Sequence, residues 1–247
     1  ETGEFVFRNF LTPDTQVHTL VSHVMGELGY DRFAVLHPDD KYGLTFRDAF
    51  IQAVEQGGGR VTAQAVYGPD QTDYSAQILP FITGFRKLNA RRQFVDMAPG
   101  EKRQRNRIYR AKVDFDALFI PDGSLKAGQI ALQLKYHDIR DVVLLGTNIW
   151  DADTFLEAAG GSLPRTVFPV DFYADNPAEQ VQGFVAGYEA MYGALPDYFA
   201  AVAYDTANLV MHCLSLPEVT SSSQFVQTLK TLRYDRGITS PTSFDKT

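Results

Sequence analysis

The sequence predicts an α/β protein built on a parallel sheet with helices over both of its faces. Three observations predict it. Short apolar runs stand at 33–36, 117–120 and 142–145, the pattern of strands buried on both sides. Each run is followed by a polar turn and then by apolar residues at helical spacing. The links between them are short, as in repeating strand-helix units. In such open sheets ligands lie beyond the carboxyl ends of the strands, so function is to be sought in the strand-end loops.

At 247 residues the chain can bury a real core in one large domain or two small ones. Its composition, 45% hydrophobic and 21% charged, is that of a globular protein. The longest apolar run, 198–204, is far short of a membrane span, and no signal peptide stands at residue 1. A net charge of −7 argues against nucleic acid as the main partner. One cysteine, Cys213, excludes an internal disulfide and reads as a small buried hydrophobe.

The elements follow in order. Residues 5–7 form a short apolar segment. Pro13 and Asp14 open a helix whose apolar face is Val17, Leu20, Val21, Val24, Met25 and Leu28, and Gly29 stops it. Residues 32–36 are the first strand, ended by His37-Pro38 because proline donates no ladder hydrogen bond. Asp39, Asp40 and Gly43 form a polar turn carrying Tyr42, and residues 44–56 read as helix. Gly57-Gly58-Gly59 follow a helix rather than open one, so they terminate it and do not cradle phosphate.

Residues 61–67 are a second strand, and a helix carries Ile78, Leu79, Phe81, Ile82 and Phe85. The segment 86–112 holds ten Lys or Arg against Asp96 and Glu101. It reads as a basic, solvated insertion, helical between 101 and 112; its functional alternative is a docking surface for an anionic partner, centred on Arg103, Arg105 and Arg107. Residues 116–121 are a third strand ending at Asp122-Gly123-Ser124, with a helix over 125–137. Residues 142–145 are a fourth strand with the loop Gly146 to Trp150. A short helix near 153–159 and a strand over 166–172 complete this part. Beyond Asn176 the texture changes to helices over 177–192, 196–214 and 223–232, with only 242–244 as strand. Helices this apolar need a sheet that this part of the chain does not supply.

The residues do not assemble an enzyme. The five histidines show no metal-ligand spacing, and no nucleophile elbow or Ser-His-Asp set stands out. Asp39-Asp40 at a strand end could hold Mg²⁺ as in receiver domains, but Gly146-Thr147 ends a later strand without the lysine such sites use. Turn formation and negative charge at a helix N-terminus account for the pair. No catalytic residue, metal or cofactor is therefore expected. The strand-end loops instead supply a binding surface: Tyr42, Asp122, Ser124, Thr147, Asn148 and Trp150 suit a small polar ligand with some apolar surface. For Trp150, a partly buried packing role stands beside that of a cleft wall.

Val6-Phe7-Arg8, the run Ala34 to Gly43, Gly57-Gly58-Gly59 and Val66-Tyr67 resemble the type I periplasmic binding proteins of the Leu/Ile/Val-binding class. Asp114 to Ile120, Leu144-Leu145-Gly146-Thr147 and Ala201 to Asp205 continue the likeness in the same order, over nearly the whole chain. The resemblance implies two α/β lobes joined by crossover strands and closing on a ligand. It assigns residues 9–168 to the second lobe, with the basic insertion 86–112, and residues 1–8 and 169–247 to a crossover and a partial first lobe. It places Tyr42, Asp122 and Gly123 at the ligand. Where amino-acid-binding members carry an acid for the ligand ammonium, Asn148 stands here, with Asp151 a few residues on.

The implied function is a non-enzymatic, periplasmic or cell-envelope module that serves an ABC permease and holds a small polar or amino-acid-like ligand. Any signal or lipid anchor lies outside this sequence. The basic insertion and Asn148-Ile149-Trp150 also resemble the lipoprotein branch that activates penicillin-binding proteins, so the competing reading is a partner of a peptidoglycan synthase.

Overall fold

A computed structural model describes residues 6–7, 9–88, 108–150, 153–160 and 165–244. The chain folds as two compact units, Pro13–Pro169 and Glu1–Thr12 with Val170–Thr247.

In the unit Pro13–Pro169 the elements are α1 (Pro13–Gly26), β1 (Arg32–Pro38), α2 (Lys41–Gln56), β2 (Arg60–Tyr67), α3 (Ser75–Ile78), β3 (Gly84–Leu88), β4 (Ile108–Lys112), β5 (Ala117–Phe119), α4 (Ser124–Tyr136), β6 (Val143–Leu145), α5 (Asp153–Ala158) and β7 (Thr166–Val167). Five strands form one sheet in the order β2-β1-β5-β6-β7, every pair parallel. Consecutive residues of a strand face opposite sides of its sheet. Ala34, Leu36, Leu118 and Leu144 thus enter one core with Tyr67, Tyr74 and helix α4, while Phe33, Val35, Phe119 and Leu145 enter the other with α1 and α2. The inner strands are therefore apolar at consecutive positions, Phe33 to Leu36 in β1 and throughout β5 and β6, and this is the unbroken pattern seen in the sequence, whereas the edge strand β2 alternates.

The expected sheet is present, with four differences. Helix α2 starts at Lys41, not 44, because the Asp40 carboxylate caps it by accepting from the Gly43 N–H at 2.7 Å. Tyr42 consequently lies in the first turn of a helix and not in a loop. The helix expected to run to Phe85 ends at Phe81 after a 3-10 turn, and the last sheet strand is two residues long.

The fourth difference corrects the reading of the basic insertion as helix. Its described ends, β3 and β4, pair as an antiparallel ribbon. Arg86 and Arg110 both reach Asp141, at 3.1 and 3.3 Å, so cross-strand neighbours share one acid. Charged runs carry little information about whether the backbone pairs, and here pairing wins. Arg103, Arg105 and Arg107 lie outside the described residues, as do Phe5 and Asp151.

The other unit contains α6 (Glu179–Tyr192), α7 (Tyr198–Ser215), α8 (Ser222–Thr231), β8 (Arg233–Tyr234) and β9 (Thr242–Ser243). Its strands form one two-residue antiparallel pair. Asp205, 2% exposed on α7, accepts from the backbone N–H groups of Ile238 and Thr239 and from the Thr239 hydroxyl, at 2.7–2.9 Å. That carboxylate ties the segment after β8 to the longest helix. Helices α6 and α7 leave Met191, Tyr192, Phe199, Met211 and Leu214 exposed.

Candidate ligand-binding site

The sheet order places β1 beside both β2 and β5, so the chain leaves β1 toward one edge and returns on its other side. In doubly wound sheets of this order the ligand crevice lies outside the carboxyl ends of the strands where the direction of winding reverses, here β1 and β5. Tyr42 follows β1 and Asp122 follows β5.

Close backbone packing sets the first of these loops. A Cβ on Gly43 would lie 2.5 Å from the Pro38 carbonyl oxygen, so only glycine lets α2 start directly over the end of β1. This turn leaves the half-buried Tyr42 ring against Phe46, with centroids 4.6 Å apart. The Tyr42 hydroxyl donates to Thr147 Oγ1 at 2.9 Å, joining the first turn of α2 to the loop after β6. Burial above all, and then the charges of Asp122 and Asp40, push the Tyr42 hydroxyl up to about 12 despite the Thr147 bond. It is a neutral donor at any physiological pH.

Asp122 is held at three points. Its Oδ2 accepts from the Tyr67 hydroxyl at 2.7 Å, its Oδ1 from the Gly123 N–H at 2.6 Å, and its backbone carbonyl from Trp150 Nε1 at 2.9 Å. Tyr67 ends β2 and is 2% exposed. Burial, followed by the bond to Asp122 and its charge, raises the Tyr67 hydroxyl far above the ordinary tyrosine range. The buried Tyr74 ring meets Tyr67 edge to face, and its hydroxyl is likewise pushed up to about 12, by burial and then by Asp122. Gly123 caps α4 and Ser124 is its first residue, both half-buried.

The loop after β6 is fixed from below. The Asn148 N–H donates to Gln16 Oε1 at 3.1 Å, and Gln16 is 4% exposed on α1. Trp150 is a packing residue and not the cleft wall that was its alternative. Its ring is 1% exposed and stacks on Phe155 at 4.7 Å, and only its N–H reaches the site, through the Asp122 carbonyl. An indole this large gains more by burial than by lining an open surface.

Two hydrogen-bonded groups, Tyr42 with Thr147 and Tyr67 with Asp122 and Trp150, therefore stand at the carboxyl ends of β1, β2, β5 and β6. Tyr67 and Gln16 escape a reading of the sequence. Tyr67 was recognised only as the end of a strand, although that position is itself a signal. Gln16 interrupts the apolar stripe it shares with Leu20 and Val24, and a polar residue there signals a buried partner. The site offers two tyrosine hydroxyls, a carboxylate, a hydroxyl and an amide, with no group of three or more metal-ligating side chains among the described residues.

A family model described as periplasmic binding protein matches residues 1–83 and 104–247, leaving out 84–103, the first part of the basic stretch. No curated protein matches the chain. Solved structures do. A putative branched-chain amino acid ABC transporter protein from Rhodospirillum rubrum is 22% identical with a TM-score of 0.74, over 97% of this chain and 60% of its own. An ABC transporter substrate-binding protein from Sphaerobacter thermophilus is 18% identical with a TM-score of 0.72, over 99% and 60%. The substrate-binding protein of the branched-chain amino acid transporter of Streptococcus pneumoniae, solved with isoleucine, is 21% identical with a TM-score of 0.64, over 95% and 58%. The chain thus spans about three fifths of the length of these structures. At such identities they establish the fold, which is the type I periplasmic binding fold. With the family model covering most of its residues, the chain belongs to the periplasmic binding protein family.

Proposed function

We propose that the chain forms part of an extracytoplasmic, non-enzymatic solute-binding protein that delivers a small polar or amino-acid-like ligand to an ABC permease. The observation that carries this reading is the two hydrogen-bonded pairs, Tyr42 with Thr147 and Tyr67 with Asp122, at the carboxyl ends of the strands around the reversal point of the sheet. They supply polar groups in fixed positions, next to an aromatic face, where a sheet of this order receives ligands. The family is one of solute-binding proteins, which supports binding rather than catalysis and an extracytoplasmic location. No described helix is long and apolar enough to cross a membrane. The similar proteins support transport over regulation of a peptidoglycan synthase, for which they offer nothing.

Residues of the binding wall are Tyr42, Asp122, Gly123, Ser124 and Asn148, with Trp150 acting behind Asp122. Native mass spectrometry of the full-length protein should find a co-purified small molecule, and Tyr42→Ala should weaken its binding by ~1–3 kcal/mol through loss of an aromatic contact. Unchanged affinity in that variant would remove the site from this position.

A further inference from the structure

Helix α4 buries one side and carries an apolar stripe on the other. Ala127, Ile130, Ala131 and Leu134 enter the core. At 3.6 residues per turn, Leu125, Gln129, Leu132 and Tyr136 share the opposite side. Leu125, Leu132 and Tyr136 are exposed there, Tyr136 to 81%. Three large apolar side chains in one line are a continuous patch and not scattered surface residues.

The stripe has a different neighbour on each flank. Gly128 lies on one flank and sets α4 close against α5, since a Cβ there would stand 2.5 Å from the Ala158 Cβ and 3.0 Å from the Phe155 carbonyl oxygen. Leu132 borders the end of α5, 3.7 Å from the place of a Cβ on Gly160. Helix α5 extends the patch with the exposed Leu156 and Glu157. Lys126 is about 160° round α4 from Gly128, so it lies on the other flank. The charges divide in the same way: α4 contains lysines and no acid, and α5 contains acids and no base.

A patch of this form complements itself. The two helices follow the parallel strands β5 and β6 and pack into the same core, so they run in the same direction. Because Gly128 meets Ala158, Glu157 stands close to the height of Lys126 along the pair. A two-fold axis parallel to the helices keeps height and exchanges the flanks. It sets Lys126 opposite Glu157 of the partner subunit twice, around an apolar centre. A surface of a single charge sign would meet repulsion on one flank, whereas a second copy meets none.

We propose that the outer face of α4 and α5 is a self-association surface, through which two copies of this chain pair about a two-fold axis parallel to these helices. The pairing is independent of the ligand and of the wall that binds it. A patch carried by two helices places the dimer among weak, transient ones.

The test is sedimentation velocity of the full-length protein from ~1 to ~300 μM, which should show a monomer–dimer equilibrium with a dissociation constant of about 1–100 μM. Tyr136→Ser removes the most exposed part of the stripe without touching the core, and should raise that constant about tenfold. Lys126→Glu should weaken pairing by a similar factor, and Lys126→Glu with Glu157→Lys in one chain should restore it, which a role in folding alone would not do. Zero-length carbodiimide cross-linking of the native protein should yield a covalent dimer joined from Lys126 to Glu157, and needs no variant that might misfold. A monomer throughout the concentration range overturns the proposal. A dimer whose constant neither Tyr136→Ser nor Lys126→Glu changes is built on another face and overturns it equally. So does a double variant that stays as weak as Lys126→Glu alone.

Discussion

Gly146→Ala tests whether the packing around Trp150 governs the site. A Cβ on Gly146 would stand 2.2 Å from Trp150 Cδ2, 2.5 Å from Cε3 and 2.6 Å from Cε2. Carbon atoms prefer about 3.5–4.0 Å, so the indole must move by more than an ångström or the loop after β6 must lift. The ring cannot yield easily, because it is 1% exposed and stacked on Phe155. Overpacking a dense core costs about 1–3 kcal/mol, and breaking the Trp150 bond to the Asp122 carbonyl adds about 1 kcal/mol. The sum, ~2–4 kcal/mol, lowers the melting temperature of a domain this size by about 4–16 °C. Trp150 is the single tryptophan, so its fluorescence reports the disturbance directly. Gly68→Ala is the control, since nothing lies within 4 Å of a Cβ there and its melting point should stay within ~2 °C. The same melting point and emission spectrum for the two variants would refute the reasoning.

Two further predictions concern charge. The hydroxyls of Tyr42 and Tyr74 are raised to about 12 from 10.0, and that of Tyr67 is raised further, so above pH 10 the unfolded chain loses protons that the folded chain keeps. Stability is then full below about pH 10 and falls as pH rises toward the folded values, by ~1.4 kcal/mol per pH unit for each group; urea unfolding between pH 9 and 12 should show the decline, and Tyr67→Phe should make it shallower. In the other unit, Asp205→Ala leaves the Ile238 and Thr239 N–H groups without their acceptor and should cost ~2–5 kcal/mol, whereas Asp205→Asn, which keeps one acceptor, should cost less; denaturant unfolding followed by circular dichroism would show no difference between them if the carboxylate did not anchor that segment.

The sheet was legible because burial on both faces writes itself into consecutive residues. Phe33-Ala34-Val35-Leu36 needs no partner to be recognised, and the polar turn after it marks the strand end. Tyr42 and Asp122 were legible for the same reason, as polar residues at strand ends. The bonds that make them a site were not. Tyr67 to Asp122 spans 55 residues and Asn148 to Gln16 spans 132, and no local pattern encodes who meets whom at such distances. The ribbon β3–β4 failed differently. Its lysines and arginines are good helix formers, and strand formation there depends on the cross-strand pairing and on Asp141, which lies outside the segment. Trp150 was ambiguous because a tryptophan near a strand end suits a cleft wall and a core equally until its burial is known.

The choice of tyrosine as the partner of Asp122 is informative beyond its geometry. An arginine or lysine in place of Tyr67 would hold the carboxylate as firmly, and would also cancel its charge before a ligand arrived. A hydroxyl donates one hydrogen bond and brings no net charge, so orientation and neutralisation are separated. The cost falls on the tyrosines. Tyr42, Tyr67 and Tyr74 resist ionisation because they are buried and stand in the field of Asp122, which has no ion-pair partner among the described residues.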